Sequence, residues 1–459
     1  MSTSSNRWTD IYNMFSPYWT ISAAVSESGP AGYSAMQAYV EHEDIRPLED
    51  IVGRMRPELD EHARAVVVGQ KGTGKSMDLT WIAGQLSRTH MVLWLDAVGL
   101  DTTVFVNPLN LFVAIGLTAI QSAAVLGVQL DQEYVSNLIS ACRGISTQEI
   151  SQKRESGLQL DKLVGQVGTW FNQISLPLAA GGAAGPGVFM AAVGSVFQTL
   201  AASASFGLAN QDSQKQEITT LPRVEEAALR LQLLIQKMEE LAEKPVVVII
   251  DGLDRIPLTE TRQLCERARA LASPDLRLIL TAPLALYHAP EFEHLEDYFP
   301  HVLMRPGVSR ATDPRNEFLR SIIARRLALC EVYPARVLEP EASALLLSAS
   351  GGNIRQLIML VREAILETER RGLMRIEMTA AESAKYKLMV SFMERLQRPT
   401  YLKALQAFTQ AGSQYPPDGE IGDFLLGMNC ILAYRDANNL PTYALNPLAQ
   451  TYMEEVGLT

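Results

Sequence analysis

Between Ala65 and Leu86 the chain passes from a short apolar run, Ala65-Val66-Val67-Val68, through Gly69-Gln70-Lys71-Gly72-Thr73-Gly74-Lys75-Ser76, into a stretch with Leu79, Ile82 and Leu86 at helical spacing. No other segment limits the fold as much. An unbroken β-prone run suits a strand covered on both faces. The glycines let the backbone curl, and the helix after them aims its free N-terminal amides at the curl. Strand, glycine loop and helix in this order build an anion cradle, here with the G-x-x-x-x-G-K-S pattern complete. Its lining is expected to be Gly69, Gln70, Lys71, Gly72, Thr73, Gly74, Lys75, Ser76 and Met77. Lys75 then reaches β- and γ-phosphate oxygens, and the Ser76 hydroxyl ligates magnesium.

Four more short apolar runs occur along the chain: Met91 to Leu95, Val246 to Ile250, Leu276 to Leu280 and His301 to Met304. Separated by helical stretches, they predict an α/β fold: a parallel sheet with helices on both faces. A phosphate cradle needs a carboxylate from a buried strand of the same sheet to complete the magnesium shell, and Asp251, after Val246-Val247-Val248-Ile249-Ile250, fits that place. Asp254, in Asp251-Gly252-Leu253-Asp254-Arg255, is the candidate to orient or deprotonate an attacking water. Thr281 ends the next strand, where a polar group can reach a γ-phosphate or simply cap the strand before Pro283. Arg355, in Gly351-Gly352-Asn353-Ile354-Arg355, opens a helix able to fold over the phosphates and add positive charge.

About 150 residues separate the second and third strands, where a crossover needs a few tens. The insert spans about 102 to 220, with helical periodicity in Asn107 to Ser146 and again in Leu221 to Lys244. Between them, Leu163 to Gln211 is 49 residues without one Asp, Glu, Lys or Arg. Two readings compete. Gly187 to Phe206 is long enough to enter a membrane, which needs about 20 apolar residues. Its Ala, Gly and Ser content, Pro177, Pro186 and Gln198 nearby, and the lack of flanking Lys/Arg clusters fit a closely packed Gly/Ala element instead.

The remaining segments divide the chain. Residues 1–32, with Trp8, Tyr12 and Phe15, read as an arm of short helix or irregular structure, and residues 33–310 as the core, beginning with helical spacing from Tyr33 to Met55. Residues 311–378 read as a helical lid, with helices over Pro314 to Cys330, Glu341 to Ser348 and Asn353 to Leu366, the last opened by a Gly-Gly-Asn break and cap. Residues 379–459 carry helices to Ala411, a Pro-Pro-Asp-Gly turn at 416–419, a short helix, and a hairpin over Ile431 to Leu445, a winged-helix-like order.

Charge sets bounds on partners. With 40 basic and 51 acidic residues, the net charge of −11 rules out a whole-surface polyanion-binding field. From Ala381 onward six basic residues face eight acidic ones, so DNA is expected to be an unlikely partner. The hydrophobic share of 47% with 20% charged residues is that of a folded globular chain, not a disordered one. Cys142, Cys265, Cys330 and Cys430 lack any zinc or disulfide spacing, and the first fifteen residues show no secretory pattern. The expected location is the cytoplasm.

On the phosphate loop, Asp251-Gly252-Leu253-Asp254, Gly351-Gly352-Asn353-Ile354-Arg355 and the helical then winged-helix-like order of the C-terminal segments, the chain resembles P-loop ATPases of the additional-strand class, in the AAA+, STAND and KAP group. The resemblance covers about residues 33 to 375. It implies a sheet ordered 5-1-4-3-2, a helical lid, ATP and Mg2+ as ligands, and ATP-driven change of assembly or conformation. Arg255 stands where NACHT-type STAND proteins tend to carry an acid, and Gly252 where AAA+ proteins usually have Glu, which points to slow hydrolysis. No Lys or Arg occurs from Leu278 to Met304, where an AAA+ ring carries its arginine finger. The expected function is an ATP-dependent switch, in bacterial signalling or phage defence, acting on a protein partner or on further copies of itself. Two alternatives stand beside it: a DNA-handling, initiator-like ATPase, and a membrane-associated KAP-like ATPase using the uncharged insert.

Overall fold

The computed structural model describes residues 3–17, 38–41, 46–97 apart from 57, 60 and 61, 108–125, the single positions 130, 134, 137, 138 and 141, 217–308, and 316–458 apart from 397, 413, 414, 437 and 439. The uncharged stretch 163–211, and with it the expectation of membrane contact, lies outside them. Among the described residues no helix is long and apolar enough to cross a membrane.

Five strands form one sheet: β1 (Arg64–Gly69), β2 (Met91–Asp96), β3 (Val246–Asp251), β4 (Arg277–Pro283) and β5 (His301–Arg305). All pairings are parallel and the spatial order is β2-β3-β4-β1-β5, the 5-1-4-3-2 order that the resemblance implies. The period of two splits each strand between two cores. Val66, Val68, Leu93, Val248, Ile250, Leu278 and Leu280 face one side; Ala65, Val67, Val247, Ile249 and Ile279 face the other. On the second side α2 (Arg46–Arg54) and α3 (Lys75–Leu86) supply Leu48, Ile51, Leu79, Ile82 and Leu86. On the first, α4 (Pro108–Val125) and α5 (Glu217–Ala242) pack together, with Phe112, Leu231, Leu234 and Met238 fully buried. Helix α4 lies at the start of the insert, and α5 runs from its end to β3. Of the helical spacing expected from Tyr33 to Met55, residues 33–37 and 42–45 lie outside the described residues, and the described helix is α2, from Arg46. Pro47 stands in its first turn, where a residue without an amide donor is tolerated.

Beyond β3 come α6 (Leu258–Glu266) and α7 (Ala268–Ala272), and between β4 and β5 α8 (Leu284–Tyr287) and α9 (Glu291–Glu296). The segment expected to be a helical lid, called the lid below, holds α10 (Glu317–Ala328), α11 (Pro340–Ala349) and α12 (Ile354–Arg370). Two asparagines start the outer pair: Asn316 accepts from the Leu319 amide at 3.2 Å and Asn353 from the Gln356 amide at 3.0 Å. The N-terminal helix α1 (Thr3–Met14) lies on the lid. Ile11, Met14 and Phe15 are buried, the Arg362 guanidinium stacks 4.1 Å over the Tyr12 ring, and the buried Arg326 donates to the Met14 carbonyl.

The C-terminal region has α13 (Met378–Arg395), α14 (Pro399–Gln410), α15 (Gly419–Gly427) and an antiparallel hairpin of β6 (Ile431–Arg435) and β7 (Pro441–Leu445). A last helix, α16 (Pro447–Glu455), goes beyond the expectation of a region ending in the hairpin. Its cap is Asn446 and its first residue Pro447, and it packs back on α13. Arg262 meets Asp423 at 2.6 Å, and the Tyr443 hydroxyl meets His288 Nε2 at 2.5 Å, so the region is fastened to the core by its helix and by its hairpin.

Arg305, which ends β5, closes on Asp78 in the first turn of α3, with Nε 2.7 Å from Oδ2 and both side chains nearly buried. Breaking a buried pair from one side leaves a charge without compensation, at a cost of about 3–5 kcal/mol, whereas removing both partners does not. Arg305→Met is therefore expected to lower the Tm by more than Arg305→Met with Asp78→Leu, in thermal melts read by circular dichroism. Equal losses would show the pair contributes nothing particular.

Candidate nucleotide site

Every carbonyl near the start of the loop is taken up by the protein. The Lys75 ammonium donates to the Gly69 carbonyl at 2.8 Å and the Gln70 carbonyl at 2.7 Å, and lies 2.9 Å from Asp254 Oδ2. These three partners match its three N–H groups. The Thr73 hydroxyl adds a bond to the Gln70 carbonyl at 3.0 Å. The Lys71 carbonyl accepts from Asn353 Nδ2 at 2.8 Å and from Asn429 Nδ2 at 2.9 Å, and the Gly72 carbonyl accepts from the Arg355 amide at 3.1 Å. Among the described residues, by contrast, the amides of Lys71, Gly72, Gly74, Lys75 and Ser76 have no protein acceptor. Carbonyls bound and amides free is the polarity of an anion-binding nest at a helix N-terminus.

Gly72 and Gly74 hold φ of 89° and 103°. Side chains strain in that region, and at Gly72 a Cβ would in addition lie 2.7 Å from the Arg355 Cβ. The glycine spacing thus serves the curl and the close approach of the lid at the same time.

The carboxylates expected at the metal side are brought to this loop. Asp251 ends β3 in register with Asp96 of β2, close enough to Ser76 for the serine to pull its pKa down. Its Oδ1 is buried without a partner. Burial first, and then the charge of Asp254, pushes its pKa up to about 6, against the pull of Ser76. A serine hydroxyl beside a carboxylate with an orphaned oxygen fits an ion such as Mg2+, which keeps waters and shares its shell with phosphate oxygens. Among the described residues no cluster of three or more His, Cys, Asp or Glu side chains is placed to hold a metal alone. The donor set suits a metal that arrives with a nucleotide.

Asp254 sits in the 3-10 turn Leu253–Arg255 that comes after Gly252. Burial alone would raise its pKa, but Lys75, with Arg255 and Arg355 behind it, holds the carboxyl below its usual value. Burial lowers the pKa of Lys71, which also lies in the field of Asp254, Arg355, Lys75 and Arg255. Four cations thus lie around Asp254, a local positive field of the kind that favours a triphosphate. Arg355 therefore lies near Asp254, brought there by the first turn of α12. Thr281 is fully buried, and its hydroxyl accepts from the Leu253 amide at 3.1 Å, so its contact is with the turn that carries Asp254. Met77 is half-buried, with its amide on the Gly74 carbonyl.

Three side chains take on site roles that their local sequence does not announce. Gln70 extends its amide to the hairpin: Nε2 donates to the Ile431 and Leu426 carbonyls at 2.6 and 3.3 Å, and Oε1 accepts from the Ala433 amide at 2.8 Å. Asn353 is legible as a helix cap, but its second bond, to Lys71, spans 282 positions. Asn429 carries no local signal except its left-handed φ of 57°, common for Asn at a helix end. Arg305, the first cation after the stretch without Lys or Arg, is held inside the same protein by Asp78.

No protein-family model matches this chain, and no curated protein does. Among solved structures it is similar to the Aeropyrum pernix ORC1 protein in complex with DNA, at 13% identity and a TM-score of 0.40, over 91% of this chain and 94% of that one. It is also similar to the Aeropyrum pernix ORC2 protein in its ADPNP-ADP complexes, at 10% identity and TM-score 0.38 over 92% and 97%. The Thermotoga maritima RuvB Holliday junction branch migration motor matches at 11% and 0.36 over 90% and 95%. At this degree of overlap they define no substrate or partner for this chain.

The raised pKa of Asp251 has a signed consequence. A carboxyl whose folded pKa lies above its unfolded value of 3.8 favours the folded state below that value, and this contribution fades as pH rises through about 6. Near pH 7.5 the ionised, buried group is a cost. Asp251→Asn is expected to raise the Tm at pH 7.5 in the absence of metal and nucleotide, and to raise it by less at pH 5. A lower Tm at pH 7.5 would contradict the burial argument. The strand order, the loop and the acid at the end of β3 make the chain an α/β protein with the P-loop fold.

Proposed function

We propose that this chain is an ATPase of the AAA+ type that binds ATP with Mg2+ and couples nucleotide state to the arrangement of its lid and C-terminal region. The observation that carries the reading is the loop itself, with bound carbonyls and free amides, and a buried, unpartnered Asp251 oxygen at the end of β3. In this reading Ser76 and Asp251 hold the metal, which when bound screens the charge of the phosphate oxygens. Lys75 turns from Asp254 and the loop carbonyls to the β- and γ-phosphates. Asp254, released from its ion pair, orients the attacking water, and Arg355 adds positive charge from the lid. Thr281 acts on Asp254 through the Leu253 amide.

Two fuller readings share this site. In one the chain is a nucleotide switch for a protein partner or for copies of itself. In the other it is a DNA-handling ATPase, and the neighbours, one described as in complex with DNA and one as a Holliday junction motor, are in keeping with that one. The net charge of the segment from Ala381 gives a poor overall field for DNA, but phosphate contacts are local and a sum over a segment does not rule them out.

The test is ATP binding and hydrolysis by the wild type and Lys75→Ala, with solution mass recorded with and without ATP-magnesium and with duplex DNA at two salt concentrations. The wild type is expected to bind and turn over ATP, and Lys75→Ala to lose about a hundredfold of turnover or more. Salt-sensitive stimulation by DNA supports the DNA-handling reading, and an ATP-dependent mass change without it supports the switch. Equal binding and turnover in wild type and variant would overturn the nucleotide site.

A further inference from the structure

We propose that Asn353 and Asn429 are positioning residues that hold the phosphate loop open to phosphate from outside, so that the C-terminal region forms part of the nucleotide site. The inference rests on the reading of the loop as a nucleotide site. A trans peptide is planar, and its C=O and the next N–H point in opposite directions. The two Nδ2 groups take both lone pairs of the Lys71 carbonyl, at 2.8 and 2.9 Å, which turns the Gly72 amide the other way, away from both asparagines. Asn353 belongs to the lid and Asn429 to the turn between α15 and β6. One carbonyl of the phosphate loop is thus gripped by two separate parts of the molecule.

A buried ring of amides sets these two donors. Asn353 Oδ1 accepts from the Gln356 amide at 3.0 Å, and Gln356 and Asn446 exchange side-chain bonds at 2.9 and 3.2 Å. Asn446 Nδ2 then donates to the Asn429 carbonyl at 2.8 Å. From Lys71 the path runs through Asn353, Gln356, Asn446 and Asn429 and returns to Lys71. Asn353, Gln356 and Asn446 are buried, so each member is held by the next and the donors have little freedom. Gln70 fixes the preceding residue in the same way, through the Ile431 carbonyl and the Ala433 amide. A nest held in its binding shape avoids the loss of freedom on binding, which raises affinity. Neither asparagine touches the reacting atoms, so the expected effect falls on binding and not on the chemical step.

The test uses Asn353→Asp and Asn429→Asp in the full chain. The first keeps an oxygen for the α12 cap, and the second keeps a residue that tolerates the left-handed φ of position 429. Each puts an acceptor in place of the donor that meets the Lys71 carbonyl. The Kd and KM for ATP are expected to rise about tenfold in each variant, with kcat within twofold of wild type. Asn429→Gly, which keeps the backbone and removes the side chain, should give the same split and stands in if an Asp variant does not fold. A purely structural role would lower the Tm of the unliganded protein and leave Kd where it was. Wild-type Kd and KM in variants that fold would overturn the positioning role while leaving the nucleotide reading intact. Absence of ATP binding in the wild type, or binding equal to that of Lys75→Ala, would overturn both.

Discussion

A lysine ammonium enclosed by three oxygens is the interaction on which this site turns. Lys75 is almost fully buried, and burying a charge is tolerable only where its hydrogen bonds are complete. Here Asp254 and the carbonyls of Gly69 and Gln70 complete them. The same contacts keep the loop curled and Asp254 ionised. A phosphate that takes over Lys75 displaces Asp254 from its counter-ion, so ligand binding and the state of the candidate water-orienting acid are linked through one side chain. Nearby, Asp251 is pushed in the opposite direction, its carboxyl raised by burial with no cation in contact. Two acids three residues apart are thereby set to different protonation behaviour by their surroundings.

The loop is also the place where the lid and the C-terminal region come together. Gln70, Lys71 and Gly72 are each bonded to one or both of these parts, by side chains or by main chain. The residues just after β5 join in, since the Gly307 amide donates to the Ala433 carbonyl and the Val308 amide to the Gly352 carbonyl. Coupling between sites is reciprocal. If docking of the hairpin favours the nucleotide, the nucleotide favours docking of the hairpin by the same factor. In the reading proposed above, this reciprocity is what a nucleotide-controlled arrangement needs.

The parts of this architecture written in local sequence are the legible ones. Strand β1 and its loop are one contiguous motif, Asp251 ends an unmistakable apolar run, and the Gly-Gly-Asn signal marks the start of α12. The parts that depend on distant partners are not legible. Asn429 meets Lys71 across 358 positions, and Arg305 meets Asp78 across 227, with nothing in either neighbourhood to announce the contact. Thr281 shows the same limit: its place at the end of β4 is readable, but its bond to the Leu253 amide is not. The arm is readable as a helix or an irregular segment, whereas its seat against Arg326 and Arg362 depends on the lid.

The most direct measurement is amide hydrogen exchange of the intact chain with and without ATP-magnesium. Protection is expected to rise together in the loop at Gly69 to Ser76 and in the segment from Asn429 to Arg435, because the two share hydrogen bonds. Protection gained in the loop alone, with 429–435 unchanged, would contradict the claim that the C-terminal region belongs to the nucleotide site. No change in either segment would contradict the site itself.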